Sequence, residues 1–83
     1  MNDIFRAQKY RKINLHLREK MDALGINRNQ MVKLVGSRFE VIDKWYQNKV
    51  ERLDLDVLAR ICYVLDCEVE DILEYEEEAE PEE

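Results

Sequence analysis

The chain has 83 residues, with 13 basic and 19 acidic side chains, a net charge of −6, and 46% apolar residues. That describes one small globular domain, too apolar for a disordered chain and without an apolar run near the roughly 18 residues of a membrane span. Two Cys and one His fall short of a disulfide framework or a zinc site, and at face value −6 opposes binding to nucleic acid. The start, Met1-Asn2-Asp3-Ile4-Phe5-Arg6, lacks the layout of a signal peptide, so the expected setting is cytoplasmic.

In chain order, Ile13, Leu17, Met21 and Leu24 recur on one helical face. They predict a first helix near 15–24, capped by Asn14 and ended by Gly25. Asn27 offers a second N-cap before the stripe Met31, Val32 and Val35, which Gly36 stops. A third helix is expected from Arg38 to Tyr46, with Ile42 and Trp45 inward, ended at Gln47-Asn48 because Asn tolerates the left-handed conformation. After a loop from Lys49 to Leu53, Asp54 or Asp56 caps a fourth helix with Leu55, Leu58, Ile61, Cys62 and Leu65 on one face. Asp66-Cys67 breaks it. A last helix near 69–73 buries Val69, Ile72 and Leu73, with Glu68, Glu70 and Asp71 at its favourable N-terminal end.

Five short helices with brief connections give a compact all-α domain. The ends add one feature. Residues 9–17 and 72–77 alternate in a way that allows two short strands to pair, setting Lys9, Arg11 and Lys12 opposite Glu74, Glu76 and Glu77. His16 reads as a surface helix residue, Cys62 as a small hydrophobe of the core stripe, and Cys67 as half-buried.

The charge is unevenly divided. Residues 1–67 hold every basic residue and 9 acids, a net of +4, whereas residues 68–83 hold 10 acids and no base. The domain is therefore basic where it is structured. Its parts read as a basic N-terminal segment over 1–12, a domain over 13–75, and an acidic segment over 76–83 that repels itself and is expected to be disordered beyond Glu77.

Arg28 to Gln47 is the most informative stretch. Two short helices that cross steeply need apolar residues on their facing sides and a turn residue with an unusual backbone angle. Met31, Val35, Ile42 and Trp45 fill the apolar places, and Gly36 fills the turn. With one helix before it and two after, this spacing resembles the Cro/lambda-repressor-like (XRE-type) helix-turn-helix family, in its short single-domain members. Ile26-Asn27-Arg28, Tyr46-Gln47-Asn48-Lys49, and Leu58 to Cys67 followed by Asp71-Ile72-Leu73-Glu74-Tyr75 extend the resemblance over three quarters of the chain. The chain departs from the family at Val32, Ser37, Arg38 and Asn48; Ser37 is expected to cap the third helix one residue early.

The resemblance implies a sequence-specific transcriptional regulator that inserts its third helix, about 38–46, in the major groove of double-stranded DNA, most simply as a homodimer. Carried over position by position, it assigns base reading to Arg38, Phe39, Glu40, Asp43 and Lys44. It assigns phosphate contacts to Arg28, Asn29, Lys49 and Arg52, with Arg11 and Lys12 from the N-terminal segment. Arg38 suits guanine, Glu40 cytosine N4, and Phe39 a thymine methyl. Asp43 is unhelpful near phosphates unless Lys44 or Arg38 pairs with it. No enzymatic group, cofactor, metal or small-molecule substrate is expected, since there is one Ser, one His and no Thr. The acids Glu40 and Asp43 keep a second reading open, a protein-interaction module on the same fold, antitoxin-like or modulating another regulator.

Overall fold

The computed structural model describes residues 11–76. The order is β1 (Ile13–Leu15), α1 (Leu17–Leu24), α2 (Arg28–Val35), α3 (Phe39–Tyr46), α4 (Leu55–Leu65), α5 (Val69–Ile72) and β2 (Leu73–Tyr75). The five helices and the small pairing of the ends agree with the sequence. The acidic segment beyond Glu76 and the basic residues Arg6 and Lys9 lie outside the described residues.

Helix boundaries follow local chemistry. Asn27 caps α2 through a reciprocal box: its side chain accepts from the Gln30 N–H, and the Gln30 side chain accepts from the Asn27 N–H, both at 2.8 Å. Gly36 closes the helix at φ 76°, a left-handed conformation that costs other residues about 1–2 kcal/mol. Asp54, not Asp56, caps α4 by accepting from Asp56 N–H and Val57 N–H. Asp56 instead pairs with Arg60 one turn along.

Four expectations need correction. The first helix starts at Leu17, because Ile13, Asn14 and Leu15 pair with the other end of the chain; Asn14 is a strand residue and caps nothing. His16 occupies the N-cap position and so is not a helix residue. Ser37 does not cap α3; Arg38 holds that place, without a side-chain bond. Ile13, Leu24, Leu55 (72% exposed) and Val69 (50% exposed) lie outside the core. Leu55 and Val69 each sit at the first position of a helix.

The core comprises Leu15, Leu17, Met21, Met31, Val35, Ile42, Trp45, Leu58, Ile61, Leu65 and Ile72, and holds no buried polar residue among those described. Every helix contributes to it. No helix among the described residues is long and apolar enough to cross a membrane.

The two strands are antiparallel, with Ile13 opposite Tyr75, Asn14 opposite Glu74, and Leu15 opposite Leu73. The Glu76 N–H continues the ladder to the Lys12 carbonyl at 2.9 Å, so Lys12 faces Glu76 as the alternation predicts. Arg11 instead stacks on the Tyr75 ring, 4.1 Å from its centroid. Glu74 faces Asn14 and bonds His16 Nε2 at 2.5 Å. Lys9 and Glu77 lie outside the described residues.

Asn48 joins this pair to the end of α3. It takes φ 59°, and its side-chain oxygen accepts from Leu15 N–H at 2.8 Å while its amide donates to Asn14 Oδ1 at 3.0 Å. Asn48→Gly keeps the backbone angle and loses both bonds, so urea unfolding should show a cost of about 1–3 kcal/mol. Asn48→Ala should cost roughly 1 kcal/mol more, since alanine is strained in the left-handed region.

The His16 bond to Glu74 raises the imidazole pKa above 6.5, partly opposed by burial and helped by Glu19. The folded state therefore favours the charged ring. Its contribution is full below the unfolded value and is lost as pH rises through the higher folded value. Thermal melting between about pH 5.5 and 8.5 should show this decline in the native chain and a flatter profile in His16→Gln.

Candidate nucleic-acid interface

The pair α2–α3 is built on four side chains. Met31 and Val35 of α2 meet Ile42 and Trp45 of α3, all buried. The turn between them is tight: Gly36 N–H and Ser37 N–H both donate to the Val32 carbonyl, at 2.9 and 3.2 Å. Arg60 of α4 donates to the Val35 carbonyl at 3.2 Å, satisfying an orphan acceptor at the end of α2.

With Ile42 and Trp45 inward, helical geometry turns Glu40, Asp43, Lys44 and Gln47 outward. Glu40, Lys44 and Gln47 are exposed. Arg38 lies exposed at the N-terminal end of this face, with Phe39 (42% exposed) beside it. Gln47 was not among the sequence candidates. Its spacing, four residues after Asp43 and seven after Glu40, is the feature that identifies it.

Asp43 is not paired with Lys44 or Arg38, as the sequence reading required of it. Its partner is Arg28, the first residue of α2, at 2.5 Å, and Gln47 Nε2 donates to its second oxygen at 2.9 Å. The Gln47 amide and the Arg28 guanidinium hold the Asp43 carboxyl below its ordinary range. Arg28 also lies over two rings of α3, 4.9 Å from the centroid of Tyr46 and 5.6 Å from that of Phe39. A residue expected to grip phosphate and one expected to read bases thus neutralise each other across the α2–α3 angle.

The other candidates are spread around this centre. Asn29 is exposed in the first turn of α2, and Lys49 and Arg52 are exposed in the loop after α3. Lys12 is exposed beside the strand pair, and Arg11 is held on Tyr75. Among the described residues, Lys12, Arg38, Lys44, Lys49 and Arg52 form no ion pair. Glu40 likewise has none. Burial and then the neighbouring Cys62 push the Cys67 thiol up, so it stays protonated at neutral pH. No group of three or more His, Cys, Asp or Glu side chains among the described residues is placed to hold a metal ion.

The model of the Cro/C1-type helix-turn-helix DNA-binding domain matches residues 16–78. The chain belongs to that family. Comparison with curated proteins gives no match. Membership makes this Cro/C1-type domain a DNA-binding regulator in the general sense, with DNA as its partner. The matched span begins at His16, so it takes in all five helices and β2 but not β1.

In this Cro/C1-type domain, Arg28→Ala and Asp43→Ala should each lower the thermal midpoint. The double variant should lose less than the two single losses added together, because both remove one contact. Acid should act in the same direction: a depressed carboxyl pKa means that the contribution of Asp43 is present at neutral pH and lost as pH falls through its folded value.

Proposed function

We propose that this chain is a sequence-specific transcriptional regulator that places α3 in the major groove and binds a two-fold related site as a homodimer in the cytoplasm. The observation that carries this reading is the Arg28–Asp43 pair. With Asp43 neutralised, the cations Arg38, Lys44, Lys49 and Arg52 stand without an ion pair among the described residues on and beside the outward face of α3, against the acids Glu40 and Glu51. The objection raised by the net charge of −6 then applies to the acidic end of the chain and not to this surface.

The roles follow from side-chain chemistry. Arg38 presents two parallel donors to guanine, Glu40 accepts from cytosine N4, and Phe39 packs on a thymine methyl. Lys44 and Gln47 complete the reading face, a Gln amide being suited to adenine. Asn29, Lys49, Arg52, Arg11 and Lys12 contact phosphates. Arg28 and Asp43 act on recognition indirectly, by fixing α3 on α2. Two copies are needed because one helix reads few base pairs, and two half-sites one helical turn apart multiply the discrimination.

A second reading has one observation in its favour. Glu40 stands exposed and unpaired on the outward face, where a basic protein partner would suit it as well as a cytosine does. DNA binding decides between the two.

The test is selection of a preferred duplex from a random pool, followed by binding over a salt series. The native chain should bind with a steep loss of affinity as salt rises from about 50 mM to 200 mM. Lys49→Ala should weaken all duplexes alike and reduce the salt slope by about 1. Arg38→Ala should relax the preference at one base pair by about 1–3 kcal/mol. Absence of salt-sensitive binding to any duplex would remove the regulator reading and favour the interaction module.

A further inference from the structure

The C-terminal end of α4 is closed by two nested backbone bonds around one left-handed residue. Asp66 takes φ 53°, a conformation that Asp tolerates better than most side chains. Its N–H donates to the Tyr63 carbonyl at 3.3 Å, and the next N–H, that of Cys67, donates back to the Cys62 carbonyl at 3.0 Å. In a helix ending of this kind, the side chains at the two ends of the larger ring frequently touch, and two apolar residues commonly fill those places. In this chain both places are cysteine.

The surroundings agree with that placement. Both thiols are free and half-buried, and both pack against the edge of the core. Burial is the main reason that the Cys67 thiol is pushed up. Cys62 adds to it, through its charge and as a side-chain hydrogen-bond partner, so the two side chains lie within reach of each other. Asp71 acts in the same sense and Lys20 opposes it.

We propose that Cys62 and Cys67 form a reversible intramolecular disulfide, a redox-sensitive staple across the end of α4, by exchange with a low-molecular-weight disulfide. The Cys62 thiolate attacks one sulfur of that disulfide, whose S–S bond breaks, and the released thiolate takes up a proton. The Cys67 thiol then gives up its proton and attacks the Cys62 sulfur of the mixed disulfide, expelling the second small thiol. Two protein thiols are thereby oxidised by two electrons, and one small disulfide is reduced to two thiols. Cys62 opens the exchange because the thiolate is disfavoured at Cys67. The bond locks Asp66 in its left-handed turn and fixes the connection from α4 to α5, whose Ile72 is fully buried. This inference is independent of the DNA-binding reading.

The test equilibrates the native chain with mixtures of reduced and oxidised glutathione, once folded and once unfolded in urea. Alkylation of the remaining thiols and peptide mapping then give the constant for the internal bond in each state. Because the folded turn already holds the two side chains together, the constant should be about tenfold larger, or more, in the folded chain. The oxidised chain should stay monomeric and melt about 5–10 °C higher than the reduced one. Cys67→Ser should stop at a stable glutathione adduct on Cys62. A constant that is equal or smaller in the folded chain overturns the proposal. So does a folded native chain that accumulates glutathione adducts or cross-linked dimers in place of the internal bond.

Discussion

The steep contact between α2 and α3 is the constraint on which the rest of the molecule depends. Met31 and Val35 must face Ile42 and Trp45 with no room for a longer connection, so the chain has to reverse at Gly36 in a conformation that other residues resist. Every outward residue of α3 takes its direction from that contact. If Ile42 and Trp45 point in, Glu40, Lys44 and Gln47 must point out. Arg60 secures the same corner from α4 by bonding the last carbonyl of α2. The wider core, running from Leu15 to Ile72, supplies the burial that holds two eight-residue helices too short to persist alone.

Electrostatics then adjusts what this scaffold presents. Arg28 leaves the surface pool of cations to pair with Asp43 and to lie over Phe39 and Tyr46. One positive and one negative charge are removed together, so the net charge of the face is unchanged while its pattern is not. An acid that would repel phosphate becomes part of the support for the helix. Gln47 completes the arrangement by bonding the same carboxylate, which ties the last turn of α3 to the first residue of α2.

The strand pair performs a second structural task. It brings residues 11–15 and 73–76 side by side, and Asn48 ties them to the exit of α3 through its side chain. His16 adds a titratable link, since its ring bonds Glu74 and its N–H donates to the Ile72 carbonyl at 2.7 Å. Both ends of the described chain are thereby held next to the exit of α3.

The sequence by itself determined the helix count, the helix-turn-helix spacing, the capping at Asn27 and Gly36, and the left-handed Asn48, because these depend on local periodicity and on the backbone freedom of single residues. It also separated the acidic end from the basic body. It did not determine the partners of Asn14, His16 or Asp43. Asn14 is as good a cap as it is a strand residue, and only the distant Leu73–Tyr75 segment settles which it becomes. Asp43 has cations next to it in the sequence, yet the charge that reaches it lies fifteen positions away on another helix. Local preference is written in neighbouring residues, whereas pairing across the fold depends on which faces the buried core turns toward each other, and that was decided by the tertiary structure.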